Sequence, residues 1–215
     1  MDGPTIQARI YAGRGKAAQR IGLPCQVFRP TATGSPFTNQ IATLNAAFNS
    51  ADPNYVKPNL YGKAVWFSDL DGRFTRVGDY LVRLSDNSYW FIAAQQQLLP
   101  IVVIACNRIV NVFRPQQQSG VGAVGYGGDT VAQETPLITG YPASVLVGTK
   151  SDKSLVNLPG DVRNPAWAIL LPVLPANTYL RNEDVITDDQ NRRYVISSAE
   201  LTDLGWRINA AQAET

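Results

Sequence analysis

Hydrophobic and polar positions change rhythm near residue 25 of this 215-residue chain. Before that point Ile6 and Ile10 stand four apart, as do Ala17 and Ile21, which puts each pair on one helical face. Beyond it, apolar residues gather in short runs rich in Val, Ile, Tyr, Phe and Trp, bounded by Gly, Pro, Asn and Asp, the pattern of strands and turns. Strands are predicted at 25–29, 64–68, 80–84, 89–93, 102–107 and 108–113, and again at 143–148, 167–171, 184–187, 193–198 and 205–209. Asp86-Asn87 supplies a hairpin turn between two of them. With 14 prolines and 17 glycines, no long amphipathic helix fits after the first fifty residues.

The two runs of strands echo each other. Gly78-Asp79-Tyr-Leu-Val, a polar turn at 85–87, Tyr89-Trp-Phe-Ile-Ala-Ala-Gln95 and Asn107-Arg-Ile-Val-Asn-Val112 find counterparts in the second half. These are Asn182-Glu183-Asp184-Val-Ile-Thr, a polar turn at 188–191, Arg193-Tyr-Val-Ile-Ser-Ser-Ala-Glu200 and Trp206-Arg-Ile-Asn-Ala210. The expected fold is mainly β: two small antiparallel barrel-like or sandwich-like modules with a short N-terminal helical arm. The expected divisions are a basic arm at 1–24, a first module at 25–115, a Gly- and Gln-rich linker or loop at 116–135 and a second module at 136–215. Gly13 and Gly15 are expected to interrupt the arm, and Gly22 with Pro24 to end it, so that Arg9, Arg14, Lys16 and Arg20 project from the β-domain on a short helix.

Composition narrows the chemistry. The charged fraction is 17%, and 19 basic against 17 acidic residues leave a net charge of +2, too little field for gripping nucleic acid. The chain has no histidine, which removes Ser-His-Asp and Cys-His catalysis. Cys25 and Cys106 stand apart without metal-ligand spacing and are expected as buried free thiols in a reducing compartment. The longest apolar run, 98–106, contains Pro100 and is too short to span a bilayer, and no signal pattern precedes it.

Several motifs fail on inspection. A phosphate loop built on Gly15-Lys16 would need glycine where Ile10 stands and a hydroxyl where Ala17 stands. Gly120-Val-Gly122-Ala-Val-Gly125 matches a dinucleotide fingerprint in letters, but Gln116 to Ser119 precede it and Tyr126-Gly-Gly-Asp129 follow it where the fingerprint needs a strand and a helix, so the match is expected to be accidental. Ser68-Asp69-Leu-Asp71-Gly72 begins like a calcium loop, yet Tyr80 replaces the closing Glu, so a hairpin turn is expected. Glu183-Asp184 and Asp188-Asp189 are expected as solvated turn residues. The aromatic strip of Tyr61, Trp66, Phe67, Phe74, Tyr80, Tyr89, Trp90 and Phe91 has the makings of a sugar- or base-stacking platform. The simpler expectation is a β-core whose outward members meet a partner protein. No catalytic, cofactor or metal residue is assigned, and partner contacts are expected at Arg9, Tyr11, Arg14, Lys16, Arg20, Tyr61, Trp66 and Trp90.

The arm from Arg9 to Pro24, Phe28-Arg-Pro30, Tyr61-Gly-Lys-Ala-Val-Trp-Phe67 and Tyr89-Trp-Phe-Ile-Ala-Ala-Gln-Gln-Gln-Leu-Leu-Pro100 together resemble structural proteins of tailed bacteriophages. The closing stretch from Arg192 to Arg207 is similar to the last hairpin of small β-barrel proteins that join virion parts at the neck or tail. The resemblance implies a non-enzymatic virion subunit of a contractile-tailed phage, assembled in the host cytoplasm and present in several copies around the tail axis. Its partners would be other tail, baseplate or neck proteins, with no membrane and no specific nucleic acid.

Overall fold

The computed structural model describes residues 2–49, 62–116, 134–148 and 166–213. The expected β-linker at 116–135 and Tyr61 fall largely or wholly outside them. A single helix, α1 (Gly3–Ile21), opens the described chain. Asp2 caps it by accepting from the Thr5 N–H at 3.3 Å, and the Gly22 N–H closes it on the Ala18 carbonyl at 2.8 Å.

Twelve strands follow: β1 (Leu23–Phe28), β2 (Gln40–Asn49), β3 (Val65–Asp69), β4 (Tyr80–Arg83), β5 (Tyr89–Ala94), β6 (Ile101–Cys106), β7 (Arg108–Pro115), β8 (Glu134–Val147), β9 (Ala166–Leu171), β10 (Val185–Asp188), β11 (Arg193–Thr202) and β12 (Gly205–Gln212). They form two six-stranded antiparallel barrels, with circular orders β1-β2-β3-β6-β5-β4 and β7-β8-β9-β12-β11-β10. The β1–β4 and β7–β10 pairings close the two rings, and closure leaves no sheet edge in either.

The two orders are the same order, shifted by six strands. Irregularities recur at matching places. The β5–β6 ladder slips between Ile92 and Ala94, and the β11–β12 ladder between Ile196 and Ser198. The β1–β2 ladder slips at Val27/Phe28, and β7–β8 at Val112/Phe113. The β7–β8 ladder has one further slip, at Val110/Val112, and the two shared bulges fix the correspondence of the barrels around it.

Four expectations are corrected. The helix is neither interrupted nor projecting: it runs through Gly13 and Gly15 and lies on the first barrel with Tyr11, Gly15 and Ala18 buried. Glycine is needed at 15 because a Cβ there would lie 2.8 Å from Asp71 Cβ, and at 72 because one would lie 2.8 Å from the Tyr11 ring. This close approach outweighs the roughly 1 kcal/mol that a mid-helix glycine costs. Second, β7 belongs to the second barrel, so the junction between modules is the single residue Asn107, and residues 116–133 stand between β7 and β8 in the sequence. Third, the 68–72 turn is no hairpin, since β3 pairs with β2 and β6 and the chain crosses the barrel end to reach β4. Fourth, Asp184 and Asp188 are buried, at 1% and 3% exposure, rather than solvated.

One apolar cluster runs through both barrels. Tyr80, Phe91 and Ile104 of the first pack with Tyr141, Ile169, Tyr194 and Ile208 of the second, all buried. Tyr80 donates its hydroxyl to the Pro142 carbonyl (2.8 Å), Tyr141 donates to the Ala32 carbonyl (2.6 Å), and their rings meet edge to face at 6.2 Å. A second cluster, with Leu81, Trp90, Ile92 and Val103, fills the first barrel beneath the helix. Burial drives both.

Candidate interaction surface

The residues expected to meet a partner divide by where α1 and the first barrel put them. Tyr11 and Trp90 are interior, at 8% and 5% exposure, and are corrected from surface to core. Trp90 stacks on Phe48 at 4.3 Å and takes Trp66 edge-on at 4.9 Å, while its Nε1 donates to Ser88 Oγ at 3.2 Å. The half-buried Trp66 donates its own Nε1 to the Lys63 carbonyl at 3.2 Å. Arg14 turns inward to Asp69 (2.9 Å), and Gln7 Oε1 accepts from the Leu98 N–H (2.7 Å), so both clamp the helix to the barrel. Arg9, Lys16 and Arg20 lie exposed on the helix. Tyr61 is outside the described residues.

Sequence reasoning missed the most distinctive polar arrangement, which occurs twice. Asp79 begins the turn into β4 with its side chain 1% exposed, and Arg29, just beyond β1, grips it through Nε and Nη2, each at 2.8 Å. Asp184 holds the same place before β10 at 2% exposure, and Arg114 grips it through the same two nitrogens at the same 2.8 Å. The backbone around them repeats too. Arg76 N–H and Arg181 N–H donate to Asp79 Oδ2 and Asp184 Oδ2 at 2.9 and 2.8 Å. Gly78 and Glu183 both take positive φ, 89° and 73°. Their N–H groups donate to Ile92 O and Ile196 O, both at 2.9 Å.

The fork of a guanidinium matches both carboxylate oxygens, so each pair fixes a turn geometrically as well as electrostatically. The hydrogen bonds to Asp79 raise the pKa of Arg29, and those to Asp184 raise that of Arg114, so both stay charged at any working pH. The signal was present in the sequence: the tripeptide Phe-Arg-Pro occurs at 28–30 and again at 113–115, each at the end of the first strand of its barrel.

Each pair floors a cleft at the same end of its barrel. The first is lined by Arg29, Arg76, Gly78 and Asp79 and walled by Val173, Leu174 and Pro175 of the second barrel, leaving about 210 Å³. The second, lined by Arg114, Gln116, Arg181, Glu183 and Asp184, measures about 490 Å³, and no described residue of another barrel walls it. A third cleft of about 560 Å³ lies on the first barrel beside α1, between the 41–45 segment of β2 and Asp71 with Phe74. Phe74 is 57% exposed.

Among the described residues no group of three metal-ligating side chains converges, and no helix is long and apolar enough to cross a membrane. Burial pushes the Cys25 thiol up to about 11, against a smaller opposing pull from Arg83, and pushes Cys106 higher still. Neither is a thiolate nucleophile near neutral pH. The buried acids Asp79 and Asp184 each have their oxygens occupied by their own arginine. Protein-family models, curated proteins and solved structures all contain no match to this chain.

Proposed function

We propose that this chain is a structural protein of a tailed-phage virion, a tail or baseplate component of a contractile particle that links the tail tube to hub, sheath or wedge proteins. The observation that carries the reading is the duplicated barrel, joined through one residue and a shared core, with no open sheet edge in either ring. Such a body offers partners its barrel ends, its clefts and the outer face of its helix. Low charge and exposed apolar residues such as Phe74, Val173 and Tyr179 suit surfaces that become interfaces on assembly. The resemblance of its motifs to phage structural proteins supplies the setting.

The test is location. Antibody labelling and electron microscopy of purified particles should find the chain on the tail, and it should persist in tails made without heads. Appearance only on completed heads would move it to the neck, and absence from particles would end the proposal. Lys16→Glu with Arg20→Glu, both on the exposed face of α1, should leave circular dichroism unchanged and reduce incorporation into tails several-fold.

A further inference from the structure

The contact between the two barrels of one chain is a template that each chain has the parts to repeat. We propose that copies of this protein stack head to tail, the cleft at Arg114–Asp184 of one copy receiving the β2 face and the Asp71–Phe74 turn of the next. This deepens the reading of a multi-copy structural protein, but it rests on the repeat geometry and stands or falls separately from the phage setting.

The receiving end exists twice. In the first barrel the Arg29–Asp79 cleft is walled by Val173–Pro175 from the turn after β9, and the β8 residues Tyr141 and Pro142 bond to Ala32 and Tyr80 of the same barrel. In the second barrel the equivalent Arg114–Asp184 cleft keeps the same bidentate pair and the same turn, and is more than twice as large. A surface built to be covered recurs where the described chain supplies no cover.

The inserting face exists twice as well, and the strand registers identify it. Ser68 lies opposite Ile101 in β6, and Ile169 opposite Ile208 in β12. The shared bulges make Ile101 and Ile208 equivalent, so Ser68 corresponds to Ile169 and the segment 71–74 to 172–175. Likewise Ala42, opposite Val27, corresponds to Ile138, opposite Val112. The face that the second barrel presses onto the first therefore has its counterpart at the 41–45 segment of β2 with Asp71 and Phe74. That counterpart is the open cleft beside α1, with Phe74 exposed where Pro175 stands in the covered contact. The helix packs on part of this face, with Gly15 against Asp71 and Tyr11 against Gly72, and Gly15 and Gln19 line one wall of the cleft, while Phe74 stays outside.

The occupant is thus a second copy. One open socket and one plug whose Arg73 and Phe74 stay outside the helix sit on opposite barrels, and they correspond to the pair that already fits within the chain. Such a contact is heterologous, so its repetition closes a ring or continues as a filament.

The test uses full-length protein in sedimentation velocity. Wild type should assemble with rising concentration into species of several chains. Phe74→Asp, which spoils the plug, and Asn182→Trp, which blocks the socket on an exposed turn, should each stay at the 23.4 kDa of one chain with unchanged circular dichroism. An equimolar mixture of the two should form a species of two chains and stop there, since one intact socket meets one intact plug. A monomeric wild type, or variants that assemble as it does, overturns the proposal, the former assigning the socket to the chain's own 117–133 segment or to another protein. A mixture that stays monomeric overturns it too, in favour of a self-complementary contact. A monomeric wild type that is nonetheless found in tails would refute stacking and leave the proposed function intact.

Discussion

Removing Asp79 probes the twice-used pair most directly. Asp79→Ala leaves Arg29, whose side chain is 26% exposed, without its two 2.8 Å acceptors, and also orphans the Arg76 N–H. Breaking a buried pair from one side costs about 3–5 kcal/mol. The partial exposure of Arg29 places this case near the low end, at about 3 kcal/mol. Arg29→Ala should cost about 2–3 kcal/mol, because the carboxylate it strands keeps the Arg76 N–H at 2.9 Å and its guanidinium at 3.8 Å. The double variant removes the stranded charge along with its partner, so its loss should fall short of the sum by about 2 kcal/mol, the signature of direct coupling. In a chain of this size the Asp79→Ala loss lowers Tm by roughly 6–12 °C. Urea unfolding followed by tryptophan fluorescence reports both barrels, since Trp66 and Trp90 lie in the first and Trp167 and Trp206 in the second. Asp184→Ala should lose the same amount within about 1 kcal/mol, because its contacts have the same lengths. Strictly additive single and double losses, or an Asp79→Ala cost under about 1 kcal/mol, would refute the claim that these pairs pin the turns.

Other outcomes follow from separate parts of the molecule. Tyr141→Phe deletes the 2.6 Å bond to the Ala32 carbonyl and should cost about 1–2 kcal/mol while loosening the barrel contact, measured by hydrogen exchange at 101–106 and 138–145. Burial raises the Tyr141 phenol to about 12 and raises Tyr80 as well. The unfolded chain ionises first, so their stabilising share is complete below about pH 10 and is lost as pH climbs towards about 12; alkaline denaturation midpoints check this. Native Cys25, held up at about 11 by burial, should resist iodoacetamide at pH 8 and react on adding denaturant, measured by mass shift. Gly72→Val drives a side chain into Tyr11, whose ring already lies 2.8 Å from the position of a Cβ. It should undock α1 and cost at least about 2 kcal/mol, seen as protease cleavage within residues 3–21.

The strands were legible where β-branched and aromatic residues alternate between turns, as in β5 and β11. β2 was not, because Ala42, Asn45, Ala46, Ala47 and Asn49 have weak strand preference and are held there by pairing with β1 and β3. The helix was foreseen, but its burial was not. Gly15 looks like an interruption in isolation, and only the neighbouring Asp71 shows that it is a space cut for a close contact, whereas a Cβ at Gly13 would meet nothing within 4 Å. The duplication was visible as a faint echo in the strands, whereas its strongest mark, Phe-Arg-Pro, was hidden by a module boundary drawn at 115. A run of glycines and glutamines attracted that boundary, while the true junction is a single asparagine, Asn107, between two apolar runs. Asp184 and Asp188 looked solvated because a turn of acids and amides is normally wet, and the arginine that lets Asp184 be dry stands 70 positions earlier in the chain.

Asn107 itself is more than a junction. Its amide copies a peptide unit, donating from Nδ2 to the Val145 carbonyl at 2.8 Å and accepting the Val145 N–H on Oδ1 at 2.8 Å, while its backbone N–H reaches the Ala143 carbonyl at 3.0 Å. The side chain thus continues the ladder sideways across the seam, where an ordinary connector would leave a swivel. Together with the core that the two barrels share, these bonds tie the connector to β8 and leave it no free turn of its own.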